Sequence, residues 1–206
     1  MINMVIPPII LKASSKVTLR IRRQMVKTKL KNYRKLHLAC GDNILEGWAN
    51  IDIHKKGNVI GWNLTHKLPI QSETINLVFC EHFIEHITFN QARTLLAECH
   101  RCLRNGGILR LSTPSLAKMI KEYLSGKTTE WSDVGWHPIT PCQMINDGFR
   151  LWGHQFIYDD CELEHLLLDC GFREIRKVSW RQSINPELRN LECRPFHNEI
   201  ILEAVK

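Results

Sequence analysis

Short apolar runs alternate with breaks at Gly, Pro and Asp residues along the first half of the chain. Three such runs are Leu36–Ala39, Trp48–Ile53 and Val59–Leu64, and Ile75–Cys80 is the best candidate for a buried strand. Runs of this length bounded by turn residues are typical of strands in a covered sheet. The gaps after the first two runs are too short for the helix that normally connects parallel strands. The pattern therefore predicts an α/β fold with shortened first crossover connections.

The second half of the chain alternates amphipathic segments with further apolar runs. Apolar residues that recur every three or four positions predict helices, and capping residues and glycines set the helix ends. We predict three helices: residues 90–104 stopped by Gly106-Gly107, residues 116–125 capped by Ser115, and Cys161–Asp169 between Asp160 and Gly171. We predict three strands: Ile108–Ser112, Arg173–Trp180 and Asn198–Val205.

Residues 127–156 show neither helical nor strand periodicity. They contain several aromatic and histidine residues: Trp131, Trp136, His137, Trp152 and His154. A long irregular stretch inside a single domain is usually functional or mobile. We therefore interpret residues 127–156 as a lid-like insertion that covers a substrate.

The positive charge of the chain is concentrated at its start. Residues 1–35 hold ten of the 28 Lys and Arg residues and none of the 21 Asp and Glu residues. We divide the chain into a basic arm, residues 1–34, with a short amphipathic helix, and one domain, residues 35–206. The arm fits a solvated leader or a segment that binds an anionic membrane surface. It fits nucleic acid less well, because Tyr33 is its one aromatic residue.

The eight cysteines indicate a reducing environment. They lack the spacing of a disulfide framework, and Cys80 and Cys170 fall inside apolar runs, which suits buried free thiols. No apolar run approaches the ~18–20 residues that span a bilayer. We expect a cytoplasmic protein, with the arm as the element that would attach it to the periphery of a membrane.

Several short motifs occur in order along the chain. They are LHLACG at 36–41, GWANID at 47–52, Leu68-Pro69, EHFIEH at 81–86 and LRNGGIL at 103–109. Taken together they resemble the small class I S-adenosylmethionine (SAM) dependent methyltransferases, over residues 36–116. The resemblance implies a Rossmann-like sheet flanked by helices, a final antiparallel strand pair, and SAM as the cofactor.

The same resemblance implies where SAM binds. The implied cofactor residues are Leu38, Ala39, Cys40, Gly41, Asp52, Ile53, Asn63, Leu64, Cys80, Glu81 and His82. Asp52 would bind the ribose hydroxyls, as acids that follow a strand do in nucleotide-binding folds. Asn63, where family members often have Asp, would accept from the adenine amino group through its carbonyl oxygen.

Methyl transfer depends mainly on proximity and orientation, and a hydroxyl acceptor must also lose its proton. The candidate general bases are His86, beyond the Ile75–Cys80 strand, and His154 in the predicted lid. A purely structural role is also open for each. The leading hypothesis is a methyltransferase for a small-molecule or glycan-linked acceptor, with a hydroxyl as the target. The alternatives are an RNA methyltransferase that uses the arm and a domain that binds SAM without turnover.

Residues 82–86 also fit H-x-x-E-H, the zinc motif of inverzincin proteases. That motif requires a helix and a third ligand downstream, whereas here it follows a strand and no third ligand is evident in the sequence. Cys99-x-x-Cys102 lacks a second cysteine pair, so two packed thiols are expected there. The sequence therefore predicts no metal site.

Overall fold

One mixed sheet of seven strands organises the fold. In chain order the strands are β1 (Lys35–Leu38), β2 (Ala49–Asp52), β3 (Ile60–Gly61), β4 (Ile75–Glu81), β5 (Leu103–Thr113), β6 (Arg173–Lys177) and β7 (Ile200–Val205). Across the sheet the order is β3-β2-β1-β4-β5-β7-β6. Strands β1 to β5 are parallel, and β7 runs antiparallel to both β5 and β6. The predicted α/β class and the final antiparallel pair are confirmed.

The structure is a computed structural model that describes residues 8–128, 135–195, 197 and 199–206, with only the backbone for residues 8–18. Trp131 of the predicted lid and residues 1–7 of the predicted arm lie outside these ranges. The described residues contain five α-helices: α1 (Pro8–Leu30), α2 (Phe89–Cys102), α3 (Leu116–Leu124), α4 (Pro141–Arg150) and α5 (Asp160–Asp169). None of the described helices is both long enough and apolar enough to cross a membrane.

The connection from β1 to β2 is a turn, as its length predicts. Residues 39–48 are all described and contain no helix. In place of a helix, the side chain of Asn50 stabilises this turn through hydrogen bonds. Its Oδ1 accepts from the Leu45 N–H at 3.0 Å, and its Nδ2 donates to the Leu45 and Trp48 carbonyls at 2.9 and 3.2 Å. A buried amide that satisfies three backbone groups fixes a short crossover without helical packing.

The helix in the arm, α1, is longer than predicted and reaches the core. Val26 and Leu30 are buried with the main apolar cluster under the sheet. The guanidinium of Arg22 donates to the Gly61 carbonyl at 3.2 Å. Leu19 and Ile21, by contrast, lie exposed on the same helix. The last two turns of α1 are therefore tied to the domain.

The predicted glycine stop after α2 is wrong. The helix ends at Cys102, and Gly106 and Gly107 lie inside β5. A Cβ on Gly107 would lie 2.9 Å from the Arg104 carbonyl oxygen and 3.1 Å from that of Asn76. Gly107 therefore allows β5 to pass close to β4, at a point where the register of the two strands shifts. Gly107 is needed for the close approach of two strands, and a rule based on residues at helix ends does not detect this.

The predicted lid is more regular than its sequence suggests. Helix α4 begins after Thr140, whose side chain accepts from the Gln143 N–H, and Pro141 occupies its first turn. The absence of periodicity misled the prediction because α4 packs mainly against another helix, α3, where Gly148 lies beside Met119. The start of α5 was also misplaced by one residue, since Asp159 rather than Asp160 caps it.

Candidate active site

The predicted SAM segments meet at the carboxyl edge of the sheet. Leu38 at the end of β1 pairs with Ile51 of β2 and with Cys80 of β4. The Gly41 N–H donates to Asp52 Oδ2 at 3.1 Å, which joins the turn after β1 to the end of β2. Ligands of open α/β sheets bind at this edge, where the strand order reverses.

Two turns at this edge adopt unusual backbone angles. Ala39 after β1 has φ +52°, and His82 after β4 has φ +48°. Residues with a Cβ rarely occupy this left-handed region, and such positions are concentrated at functional sites. Gly41 also has φ +52°, and a Cβ added there would meet no atom within 4 Å. The turn after β1 is therefore open on the side that would face a ligand.

The polar groups predicted to bind SAM are already engaged within the chain. The two carboxylate oxygens of Asp52 accept from the Gly41 and His54 N–H groups. The Asn63 Oδ1 accepts from the Thr65 N–H at 3.0 Å and hydroxyl at 2.8 Å. An adenine amino group would therefore share the Asn63 oxygen with Thr65.

The remaining predicted cofactor residues differ in exposure. Leu64 is buried in the core, and Ile53 is exposed over 57% of its surface. Cys80 is buried, and burial raises the pKa of its thiol far above the usual range. Cys80 could therefore contact a ligand only through its backbone, whereas Ile53 offers an apolar side chain beside Asp52.

Glu81 has a partner that the sequence did not reveal. Its carboxylate accepts from the Cys193 N–H, the Cys193 thiol and the Arg194 N–H, each at 3.2 Å. These contacts tie the loop before β7 to the end of β4. Glu81, predicted as a cofactor residue, therefore also shapes the boundary between the cofactor edge and the neighbouring cavity.

The EHFIEH motif forms a 3-10 turn, Ile84–His86, beyond β4. Glu85 is fully buried, and its carboxylate accepts from His82 Nδ1 at 3.1 Å and from the Thr113 hydroxyl at 3.1 Å. Burial raises the pKa of Glu85, but the hydrogen bond from His82 and the charges of His82 and His86 outweigh it. The net pKa lies below the usual range. The motif thus places an ionised acid beneath a group of histidines.

The two predicted general bases are neighbours. The His86 and His154 rings meet edge to face, with centroids 4.9 Å apart. Gln155 holds them together, because its N–H donates to the Glu85 carbonyl at 2.7 Å and its side chain to the His86 carbonyl at 2.9 Å. Burial lowers the pKa of His86, Glu85 partly opposes this, and His154 lowers it further.

An open cavity lies over this histidine pair. Its wall combines the end of β4, the start of α3, the segment after α4 and the loop before β7. The lining includes Lys118, Glu122, Trp152, Arg194 and His197. Lys118 and Glu122 form an ion pair. The cavity wall is largely apolar and carries charged groups of both signs, which suits a small molecule with polar substituents.

Comparison with known families supports the resemblance found in the sequence. A sequence profile for the family described as "Methyltransferase domain" matches residues 21–111, which span β1 to most of β5 and include the EHFIEH motif. This part of the chain is therefore similar to methyltransferase domains. The match begins within α1, so it includes the end of the predicted arm.

Solved structures agree with this fold. The chain is similar to a SAM-dependent methyltransferase from Archaeoglobus fulgidus, with 17% identity, a TM-score of 0.52 and coverage of 89% of this chain and 94% of that one. It is also similar to the YcgJ protein from Bacillus subtilis, with 10% identity, a TM-score of 0.51 and coverage of 91% and 98%. At these identities the likeness shows the fold alone. No curated protein matches the sequence.

The residues at the carboxyl edge fit SAM. The open turn at Gly41 allows backbone to approach a ligand, Asp52 supplies a carboxylate at the sheet edge, and exposed Ile53 supplies an apolar surface. The carboxylate of Asp52 suits the hydroxyls of a ribose. The apolar side chain of Ile53 suits an adenine ring. When bound, SAM supplies an electrophilic methyl group on a sulfonium.

Proposed function

We propose that the protein transfers the methyl group of SAM to a hydroxyl of a small-molecule or glycan-linked acceptor. The observation that carries the proposal is the convergence of His86 and His154, 68 positions apart, in a cavity beside the cofactor edge. An acceptor in this cavity would present its hydroxyl to the imidazole pair. Proximity then provides most of the rate enhancement, and loss of the hydroxyl proton provides the rest.

In this proposal one group of residues binds the cofactor and another binds the acceptor. The turn from Leu38 to Gly41, together with Asp52, holds the cofactor, and the cavity over His86 holds the acceptor. The lowered pKa of His86 keeps its imidazole neutral near pH 7, so that its lone pair is available to the hydroxyl. The buried carboxylate of Glu85 stabilises any positive charge that forms beside it.

The cofactor part is tested by calorimetric titration with SAM. We expect wild-type protein to bind SAM, and Asp52→Ala to weaken binding by about 1.5–3 kcal/mol, which is about 10- to 150-fold. Asp42→Ala is the matched control, because Asp42 lies in the same turn but pairs only with exposed Lys56. Nicotinamide cofactor should not bind.

Asp52→Asn separates ligand binding from turn geometry, since the amide oxygen can still accept from Gly41 or His54. Equal SAM affinity in wild type and both Asp52 variants would reject the role of Asp52. Failure of wild-type protein to bind either SAM or its demethylated product would reject the proposed function.

We further propose that α1 attaches the protein to anionic membrane surfaces. Three exposed cations, Arg20, Arg23 and Lys27, accompany exposed Leu19 and Ile21 on this helix. Each cation near an anionic surface contributes about 1 kcal/mol, screened by salt. Because the end of α1 is anchored in the core, the exposed cations and apolar side chains of the helix remain available to a membrane surface.

Reversing these three charges to Glu should abolish salt-sensitive sedimentation with phosphatidylserine vesicles while SAM affinity is unchanged. Whole deletion of the arm is a poor test, because it would also remove Val26 and Leu30 from the core. Arg173→Glu is the control, since Arg173 is an exposed cation on β6 at the opposite edge of the sheet. Unchanged vesicle binding, or loss of binding to RNA instead, would overturn the proposal.

A further inference from the structure

Three side chains from two segments of the chain bring metal-ligating atoms together beneath the cavity. Glu85 and His86 come from the turn after β4, and His154 comes from the segment after α4. One carboxylate oxygen and one ring nitrogen from each histidine lie within 4.8 Å of one another. In a tetrahedral site with bonds of about 2.1 Å, two ligand atoms lie about 3.4 Å apart. Side-chain rotations that shorten the separations by up to about 1.4 Å would therefore close the group around an ion.

The hydrogen bonds around the cluster orient the histidines as ligands. His154 Nδ1 lies 2.7 Å from the Gly148 carbonyl oxygen, which can only accept, so Nδ1 carries the hydrogen and Nε2 carries the lone pair. His86 is hydrogen-bonded to the Trp152 backbone and directs Nε2 to within 4.0 Å of Glu85 Oε1. A metal-binding histidine typically donates its second N–H to a carbonyl in this way.

The surroundings of the Glu85 carboxyl group suit a cation. The side chain is fully buried, and among the residues that the structure describes no lysine or arginine forms an ion pair with it. Its hydrogen-bonding partners, the His82 ring and the Thr113 hydroxyl, are groups without a permanent charge. A bound divalent ion would add a permanent positive charge beside this buried side chain.

We propose that Glu85, His86 and His154 bind one divalent transition-metal ion, with His82 holding the Glu85 carboxylate in place. Two imidazoles and one carboxylate form the ligand set of many catalytic zinc sites, in which further positions are left for water or substrate. The open position faces the cavity, because all three ligands line it.

A metal ion here would change how the acceptor is activated, a consequence that rests on the proposed function. The hydroxyl oxygen of the acceptor coordinates the ion, its O–H bond breaks, the electron pair stays on oxygen, and the proton passes to water. Coordination of this kind lowers the pKa of a bound O–H group by several units. His86 and His154 would then act as metal ligands, and neither would need to take the proton itself.

The test is metal binding by the full chain, stripped with chelator and without a histidine tag. We expect Co²⁺ to bind with a stoichiometry of one and with visible absorption bands, and Zn²⁺ to displace it. Glu85→Gln, His86→Ala and His154→Ala should each weaken Co²⁺ binding by more than about 100-fold, since even supporting residues cost 10- to 100-fold. His100→Ala is the control, because His100 lies on α2 outside the cluster.

Circular dichroism and SAM titration show whether each variant is folded. Absence of Co²⁺ binding by wild-type protein, binding that all three variants retain, or binding of Mg²⁺ in preference to Co²⁺ would overturn the inference. SAM binding without metal binding would leave the proposed function standing and remove the metal site. Metal binding at these residues without SAM binding would support the metal site and reject the proposed function.

Discussion

Two buried clusters of charge lie on opposite sides of β4 and β5, and they are built differently. In the first, the fully buried guanidinium of Arg110 donates to Glu192 Oε1 at 2.6 Å and to Glu203 Oε1 at 2.7 Å. In the second, buried Glu85 is surrounded by His82, His86 and His154. Arginine is charged at every accessible pH, and histidine is not.

The difference distinguishes a structural cluster, around Arg110, from a candidate ligand site, around Glu85. The Arg110 cluster contains its own permanent counter-charge, and it joins β5 to β7 and to the loop before β7. Its three charged side chains are not among the residues that line the cavity over the histidine pair. The Glu85 cluster lines the open cavity, and within the described part of the chain its carboxylate forms no ion pair with a lysine or arginine. Of the two clusters, the second is therefore the one that a ligand in the cavity can reach.

The largest effect is expected from removing the cation of the first cluster. Arg110→Met leaves two carboxylates buried without a partner, and we expect it to lower the free energy of unfolding by about 3–5 kcal/mol. Urea denaturation followed by circular dichroism measures the change. Arg176→Met is the matched control, because its ion pair with Glu174 is exposed and should contribute less than about 0.5 kcal/mol. A similar small loss in both variants would show that the buried cluster is not structural.

A smaller effect, of opposite sign, is expected from adding a cation to the second cluster. Zn²⁺ at 100 times its dissociation constant should raise the free energy of unfolding by about 2.7 kcal/mol. The gain should vanish in the His86→Ala, His154→Ala double variant and persist in His100→Ala. Equal stabilisation of the double variant would mean that Zn²⁺ binds elsewhere. The Glu85 cluster would then not be a metal site.

The sequence was sufficient for the features that depend on short-range pattern. The lengths of the apolar runs and gaps predicted the missing helices between β1, β2 and β3, and the ordered motifs predicted the class of fold. Glycine rules failed at Gly106-Gly107, because the constraint comes from Asn76 on a neighbouring strand. A local pattern contains no information about which strand passes beside a glycine.

The site was predictable only in part, for the same reason. His86 and His154 were identified separately from their chemistry and their positions next to predicted elements. Their contact depends on the path of the chain through α3 and α4, and on the hydrogen bonds that Gln155 makes to the turn after β4. Because that path is set by tertiary packing, the sequence motif at residues 82–86 gave no indication of its third partner.

The position of β7 in the sheet has a consequence for how the protein folds. Strand β7 inserts between β5 and β6, and among the described strands β6 pairs with β7 alone. The loop before β7 also delivers Arg194 and Glu199 to the cavity, anchored through Glu81. A growing chain can therefore form the parallel part of the sheet early, but the wall of the cavity is complete only when β7 docks. Completion of the sheet and completion of the cavity are thus one folding event, and a chain that stalls before it lacks one wall of the cavity.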